Sequence, residues 1–490
     1  MPKTDMIDHA ARAVAISLAV SEAAAAPTAA LTTLGLTDAP AAWTALRRLA
    51  GEGQCDAAQW ADVLAGIARA PMPDRSLARL ERFIDRLPAG ATSPIAPGYP
   101  AAQLRDLLTI LGIAPDLASI LERRPDLTGH GDDTALPAPA ASVAEIRSWF
   151  NAQRLIIGGR ILTGQLAPDL AGPIYTGVAE QAIGQVLAIV QEAFRSRHGV
   201  VDGGRFAVLG LGKLGGREMT DGSDLDLVLI YDVADIHALS DGPRPLPAPT
   251  YFARLGERLV GALTARAGTE GFYAIDLRLR PWAAKSAAAV NFTGFRDYFK
   301  SDAWTWEFMA LTRARPIAGD PRLMQAARSA IGEALCRPRD PEGLRADIDK
   351  MRRSIAANHQ ADPPWDVKRR AGGLVDCEFV LQYLMLRHAA AEPELLAVGS
   401  ADALAGLAAA GHVSAGDAEV LSTGLALWTR LSTVLRLIEG GWVDAEMAKE
   451  ITSGILSLTD PAFHGAALNA KTEALAQSVA AIYRRVLVLG

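Results

Sequence analysis

The 490 residues predict an α+β fold in which a small sheet sits between mostly helical N-terminal and C-terminal regions. Three observations carry this. Apolar residues 206–209 run into a glycine-rich turn at 210–216, and a second apolar run opens with Ser223-Asp224-Leu225-Asp226. Residues 271–281 alternate as a strand does, with Ala274, Asp276, Arg278 and Arg280 on one face and Tyr273, Ile275, Leu277 and Leu279 on the other. The rest is rich in alanine and leucine at helical spacing, broken by proline and glycine.

Composition bounds the function. Half of the residues are hydrophobic, enough for a large core. A net charge of −6 lacks the basic excess of a nucleic-acid binder, so no nucleic-acid partner is expected. Cys55, Cys336 and Cys377 are far apart and show no zinc-site spacing, which predicts a reducing, cytoplasmic setting. Residues 13–26 are apolar but interrupted and flanked by Asp5, Asp8, Arg12 and Glu22, which favours an amphipathic helix over a signal segment. No run reaches the ~18 apolar residues of a membrane span, so no membrane partner is expected.

Along the chain, 1–140 reads as a helical region without chemistry. Its clearest stripe is Leu77, Leu80, Phe83, Ile84 and Leu87. Residues 130–141 form a polar linker. Ser142 and Glu145 then have the form of a capping box that starts a helix burying Ile146, Trp149 and Phe150. A second helix, 179–197, presents Ile183, Val186, Leu187, Val190 and Phe194 and stops at His198-Gly199. The central region extends to 335. Four prolines between 243 and 249 form a loop, and Tyr251, Leu255, Leu259 and Leu263 mark a helix after it. Residues 291–315 read as one helix with Phe295, Tyr298, Phe299 and Trp306 buried, and Trp304 also in the core. Residues 336–490 read as a helical bundle with turns at 362–364, Gly372-Gly373, Gly440-Gly441 and Asp460-Pro461.

The glycine turn admits three phosphate-binding readings. Gly210-Leu-Gly212-Lys-Leu-Gly215 matches the dinucleotide fingerprint, but only seven residues separate Gly215 from Ser223, too few for a crossover helix. A Walker A loop fails because Lys213 is followed by Leu214 rather than Ser or Thr. The third is a nucleotidyltransferase pattern: a glycine turn, two acids opening a strand, and a third acid on another strand. Here these are Gly212, Gly215 and Gly216, then Asp224 with Asp226, and Asp276. In-line attack on an α-phosphate develops charge on entering and leaving oxygens, which two Mg²⁺ ions held by carboxylates stabilise. Lys213, Arg278 and Arg280 would supply positive charge for the leaving pyrophosphate. The plain alternative is that Asp224 and Asp226 cap a turn and face solvent. Arg313 and Arg315 either reach a triphosphate or are solvated or salt-bridged. Lys368, Asp376 and Glu378 sit at a Gly-Gly helix start, and the acids either offset the helix dipole or line the cleft. No histidine is assigned a ligand role.

With these residues in view, the chain resembles the glutamine synthetase adenylyltransferase family of DNA polymerase β-like nucleotidyltransferases. The matching stretches are GKLGGREMTDGSDLDLVLIYD from Gly212, DLRLRP from Asp276, WTWEFMALTRARPIAGD from Trp304 and DVKRRAGGLVDCEFVLQYLMLRH from Asp366. The resemblance implies a nucleotidyltransferase core with a small mixed sheet, and Mg²⁺-dependent transfer of AMP from ATP to a tyrosine of glutamine synthetase. It implies that Asp224 and Asp226 hold both ions, and that Asp276 holds the catalytic ion and accepts the tyrosine proton. The amides near Gly212, Gly215 and Gly216, with Ser223 and Lys213, would bind ATP, and Arg278 and Arg280 the leaving group. PII signal protein and glutamine enter as implied effectors. Family members carry two such cores, one attaching AMP and one removing it by phosphorolysis. This chain has one, and WTWE, GSDLDL and GGLVDCEF resemble the attaching half. Arg370-Ala371 and Cys377 depart from the family pattern locally. The alternatives are phosphorolytic removal of AMP, or a non-catalytic module that docks glutamine synthetase or PII.

Overall fold

The computed structural model describes residues 3–20, 26–52, 56–70, 72–96, 98–127, 140–265, 272–282, 287–358, 366–438 and 445–488. Cys55, linker residues 130–139, the start of the alternating stretch at Gly271, and the turns at 362–364 and Gly440-Gly441 lie outside them. The chain divides into two compact units. One comprises Met1–Ala135, Asn151–Leu166 and Val434–Pro461, and the other Leu136–Phe150, Ala167–Thr433 and Ala462–Gly490.

Among its described residues the first unit is helical. The stripe read from the sequence becomes the helix Pro73–Ile84, which buries Leu77, Leu80 and Phe83. Proline opens that helix, where a missing N–H costs no hydrogen bond. On the same helix Arg79 is buried against Glu122 at 3.2 Å; Arg82, and Arg86 just past the helix end, reach the same carboxylate at 3.3 and 3.4 Å.

The second unit is built on a five-stranded mixed sheet: β1 (Arg205–Gly210), β2 (Leu225–Asp232), β3 (Ile275–Asp276), β4 (Ala289–Asn291) and β5 (Arg315–Gly319). β1 lies between β2 and β5, antiparallel to both. The far edge of β2 is shared: β3 pairs with its first residues and β4 with Leu229–Tyr231, both parallel. β1 and β2 are buried along nearly their whole length, as expected of apolar runs covered on both faces. Tyr231 stacks on Phe252 of the helix Ala248–Thr264 at 4.7 Å, which fixes that helix to the sheet.

Helix boundaries follow their caps. Ser142 Oγ accepts the Glu145 N–H at 3.2 Å, and the Glu145 carboxylate accepts the Ala141 N–H at 2.8 Å. The next long helix, Ala171–His198, begins eight residues earlier than its apolar stripe suggested and ends at Gly199, with φ +71°.

Residues 291–315 are not one helix. Asn291 caps a helix Phe292–Ser301 by accepting the N–H groups of Thr293 and Gly294. A second helix, Thr305–Leu311, restarts where Glu307 accepts the Trp304 N–H at 2.9 Å and the Tyr298 hydroxyl. Its buried side is Glu307, Met309 and Leu311. Trp304 and Trp306 therefore point outward, 70% and 41% exposed, and are not core. After it the chain turns into β5. C-terminal to the sheet, the helices Pro321–Leu335 and Pro341–Ala357 each start on an aspartate cap followed by proline. The helix Leu374–His388 packs on Ser400–Ala409 and Ala466–Leu487. No described helix is long and apolar enough to cross a membrane.

Candidate active site

The site grows from the end of β1. The Leu211 N–H donates to the Asp226 carbonyl at 2.9 Å, extending the β1–β2 ladder one step past the strand. The chain then makes a single helical turn, Gly212–Gly215. Gly212 has φ +54°, and a Cβ there would fall 2.1 Å from Asp226 Oδ2. Only glycine lets this backbone lie against that carboxylate.

β2 and β3 bring two of the acids together. Asp226 and Asp276 are directly paired in the parallel register, and the Leu225 N–H donates to the Ala274 carbonyl at 2.9 Å. Asp224, two residues before Asp226 and exposed, shares its face. Burial, then repulsion from Asp276 and Asp224, pushes the Asp226 carboxyl above its ordinary range; Lys368 and Arg278 oppose this only in part. Asp276 moves the other way. Arg278 donates to it from its backbone N–H at 2.8 Å and from Nε at 2.7 Å, and holds it below the carboxylate range.

The three carboxylates are neighbours without forming a closed cage: among the described residues they do not place one oxygen each within 4.8 Å of one another. The Arg278 guanidinium meanwhile occupies Asp276 Oδ2, an oxygen a cation would share. An oxygen-only donor set with uncompensated negative charge at Asp226 fits a hard divalent cation such as Mg²⁺.

The expected strand at 271–281 is much shorter in the structure. It is regular only at Ile275–Asp276. The Asp276 carboxylate captures the Arg278 N–H, the Arg280 N–H turns back to the Leu277 carbonyl at 3.2 Å, and Pro281 lacks an N–H. Arg278 and Arg280 thus leave from a turn, not from one strand face. Arg278 is 88% exposed. Arg280 donates to the carbonyls of Leu277 at 2.8 Å and Ala287 at 3.2 Å. Trp282 follows at φ +50°, packed edge-on against Tyr298 at 4.8 Å. Strained non-glycine backbone of this kind clusters at functional sites.

The remaining predicted residues have local partners. The amides of Gly215 and Gly216 donate to the carbonyls of Leu211 and Gly212 at 2.8 and 3.0 Å, closing the helical turn. Ser223 is buried, and its Oγ accepts the Thr220 N–H at 2.9 Å. Lys213 Nζ donates to Thr220 Oγ1 at 3.3 Å. The glycines have a further reason to be bare. A Cβ on Gly215 would lie 1.7 Å from the Arg313 carbonyl oxygen, and one on Gly216 2.3 Å from Arg313 Nη2.

Arg313 is the prop of this loop, and its partners carry no local sequence signal. Buried beneath the turn, it donates from Nε to the Gly212 carbonyl at 3.1 Å, from Nη1 to Glu378 at 2.6 Å and from Nη2 to Glu218. The other Glu218 oxygen accepts the Ser400 N–H at 2.7 Å. Arg315 donates to the carbonyls of Gly215 and Leu214 at 2.8 and 3.0 Å and pairs with Glu180. Both arginines are salt-bridged in the structure. Asp376 is likewise buried, paired with Arg352 and accepting the Gly372 N–H at 2.6 Å. Lys368 stays exposed, with its charge felt at Asp226.

A family profile described as glutamate-ammonia ligase adenylyltransferase matches residues 132–330. Curated relatives named bifunctional glutamine synthetase adenylyltransferase/adenylyl-removing enzyme match most of the chain. The one from Xanthobacter autotrophicus is 40% identical over 84% of this chain and 44% of its own length. Those from Rhodopseudomonas palustris strain BisB5 and Bradyrhizobium sp. strain BTAi1 are 36% and 35% identical, each over 86% of this chain and 45% of their own length. The chain thus spans a little under half the length of these relatives.

Proposed function

This chain belongs, through residues 132–330, to the glutamate-ammonia ligase adenylyltransferase family, and from that premise we propose that it transfers AMP from ATP to a tyrosine hydroxyl of glutamine synthetase. A bond forms between the tyrosyl oxygen and the α-phosphorus, the bond from that phosphorus to the bridging oxygen breaks, and pyrophosphate leaves. The observation that carries the reading is the direct pairing of Asp226 with Asp276, with Asp224 on the same face.

Asp224, Asp226 and Asp276 would hold two Mg²⁺ ions, which when bound supply charge stabilisation at the α-phosphate and the leaving oxygen. Asp276, once freed from Arg278, would accept the tyrosine proton. Arg278, a strongly exposed cation beside the acids, would then turn to the leaving pyrophosphate together with Lys213. The short turn above Arg313 fixes Gly212 against Asp226, so the carboxylate is presented without reorganisation. PII protein and glutamine would act as effectors through helices outside the sheet.

Incubation with α-³²P-ATP, Mg²⁺ and unmodified glutamine synthetase tests this. Label on the synthetase supports transfer. ADP formed from adenylylated synthetase and phosphate would assign the removing reaction instead. Binding with neither product would assign a docking module.

A further inference from the structure

A second cluster lies at the far end of the helix Leu374–His388, apart from the acids. His388, Glu392 and His412 each place a ligand atom so that all three lie within 4.8 Å of one another. The chain assembles it by two turns. The His388 carbonyl accepts the N–H groups of Ala391 and Glu392, both at 3.0 Å, which folds Glu392 back beneath the helix end. His412 comes from the turn after the helix Ser400–Ala409, where its N–H donates to the Leu407 carbonyl at 2.9 Å.

His412 Nε2 lies 2.9 Å from Glu392 Oε1, and the two imidazole rings stack with centroids 3.7 Å apart. All three residues are half-buried. A histidine–glutamate pair alone would explain Glu392 and His412, but not the second imidazole. The His388 ring makes no hydrogen bond to any described residue. An imidazole in its neutral form offers a ring-nitrogen lone pair to a cation. The adjacent cation, Arg387, donates to the Tyr383 hydroxyl at 3.1 Å, one turn back on the helix.

Two imidazole nitrogens and one carboxylate oxygen form the donor set of a borderline-soft cation and a poor one for Mg²⁺. We propose that His388, Glu392 and His412 bind a divalent transition metal, Zn²⁺ foremost, with water completing a tetrahedron. Two metal bonds of ~2.0–2.2 Å span about 4 Å, so a small rotation of one ring closes the set. The metal is a staple rather than a reaction centre. It ties the end of the helix Leu374–His388 to the end of Ser400–Ala409. The first amide of that second helix is held by Glu218, the partner of Arg313.

The test is calorimetric titration of chelator-stripped full chain with Zn²⁺ in excess Mg²⁺, which occupies the carboxylate site. The wild type is expected to bind one Zn²⁺ equivalent and to melt at higher temperature with it. Asp224→Asn/Asp226→Asn keeps that equivalent, His388→Ala/His412→Ala loses it, and Glu392→Gln weakens it at least about tenfold. Circular dichroism checks each variant's fold. If the double histidine variant does not fold, His388→Gln, which leaves the His412–Glu392 pair intact, replaces it and is expected to lose the equivalent too. No Zn²⁺ equivalent in the wild type, or one unchanged in a folded His388 variant, overturns the proposal and leaves the cluster a structural ion pair with a stacked ring.

Discussion

Replacing Arg313 by methionine removes the prop of the glycine turn while keeping an unbranched apolar chain in its place. Three interactions go: the bond to the Gly212 carbonyl and the pairs with Glu218 and Glu378. Removing one partner of a buried pair costs about 3–5 kcal/mol, because the other charge is left without compensation. Two carboxylates are stranded here, but their side chains keep 28% and 18% exposure, so water reaches both. The loss should therefore sit near the lower limit, about 3 kcal/mol, or a fall in melting temperature of roughly 3–5 °C. Arg313→Lys should recover little, since an ammonium cannot span two carboxylates and a carbonyl in one plane. Adding Glu378→Gln to Arg313→Met should restore about 1 kcal/mol by removing one stranded charge. Urea unfolding followed by circular dichroism measures all three. A loss below about 1 kcal/mol for Arg313→Met would refute the assignment of this arginine as the prop.

Three further perturbations address the acids. Gly212→Ala at φ +54° drives a methyl group onto the Asp226 carboxylate; about 1 kcal/mol of backbone strain is expected, with a larger fall in AMP transfer than in stability. Asp226 is raised, so the folded state binds its proton more tightly than the unfolded state. Metal-free stability should fall as pH rises from the unfolded value of ~3.9 through the folded one, and the full cost persists at neutral pH. Asp226→Asn should raise the metal-free melting temperature at pH 7 and remove that slope. Asp276, held low by Arg278, contributes in the opposite sense: its stabilisation is present above ~3.9 and is lost as pH falls through the lower folded value. Arg278→Ala should lower the metal-free melting temperature at neutral pH only slightly, because the pair is largely solvent-exposed, and should lower kcat/KM for ATP. An unchanged kcat/KM would remove this arginine from the leaving-group role.

How much was legible follows from the range of each interaction. The β1–turn–β2 unit is local: apolar runs, glycines and Asp-x-Asp lie within 30 residues, and their periodicity survives folding. The position of Asp276 was legible because Ile275–Asp276 does pair with β2. The strand's length was not, because Asp276 and Pro281 end the ladder by side-chain capture and a missing donor, which alternation does not register. β4 and β5 flank the expected helix 291–315, each sharing one terminal residue with it, and neither was read as a strand. Asn291 and Glu307 act there as caps, and Arg315–Gly319 pairs with a strand a hundred residues earlier. Trp304 and Trp306 were misplaced because large aromatics favour the core on average, while the cap geometry fixed which side of Thr305–Leu311 faces inward. The Arg313–Glu218–Glu378 network joins residues far apart in sequence, so spacing gave no signal for it. His388 and Glu392 lie only four apart, but their third partner, His412, is brought to them by folding alone.

The most direct measurement is transfer of label from α-³²P-ATP to glutamine synthetase by the wild type and by Asp226→Asn, with both folds checked by circular dichroism. The account predicts labelled synthetase with the wild type and Mg²⁺, and loss of labelling by at least about a thousandfold in the folded variant. Transfer that persists in Asp226→Asn, or no transfer by the folded wild type, would contradict the paired acids as the reaction centre.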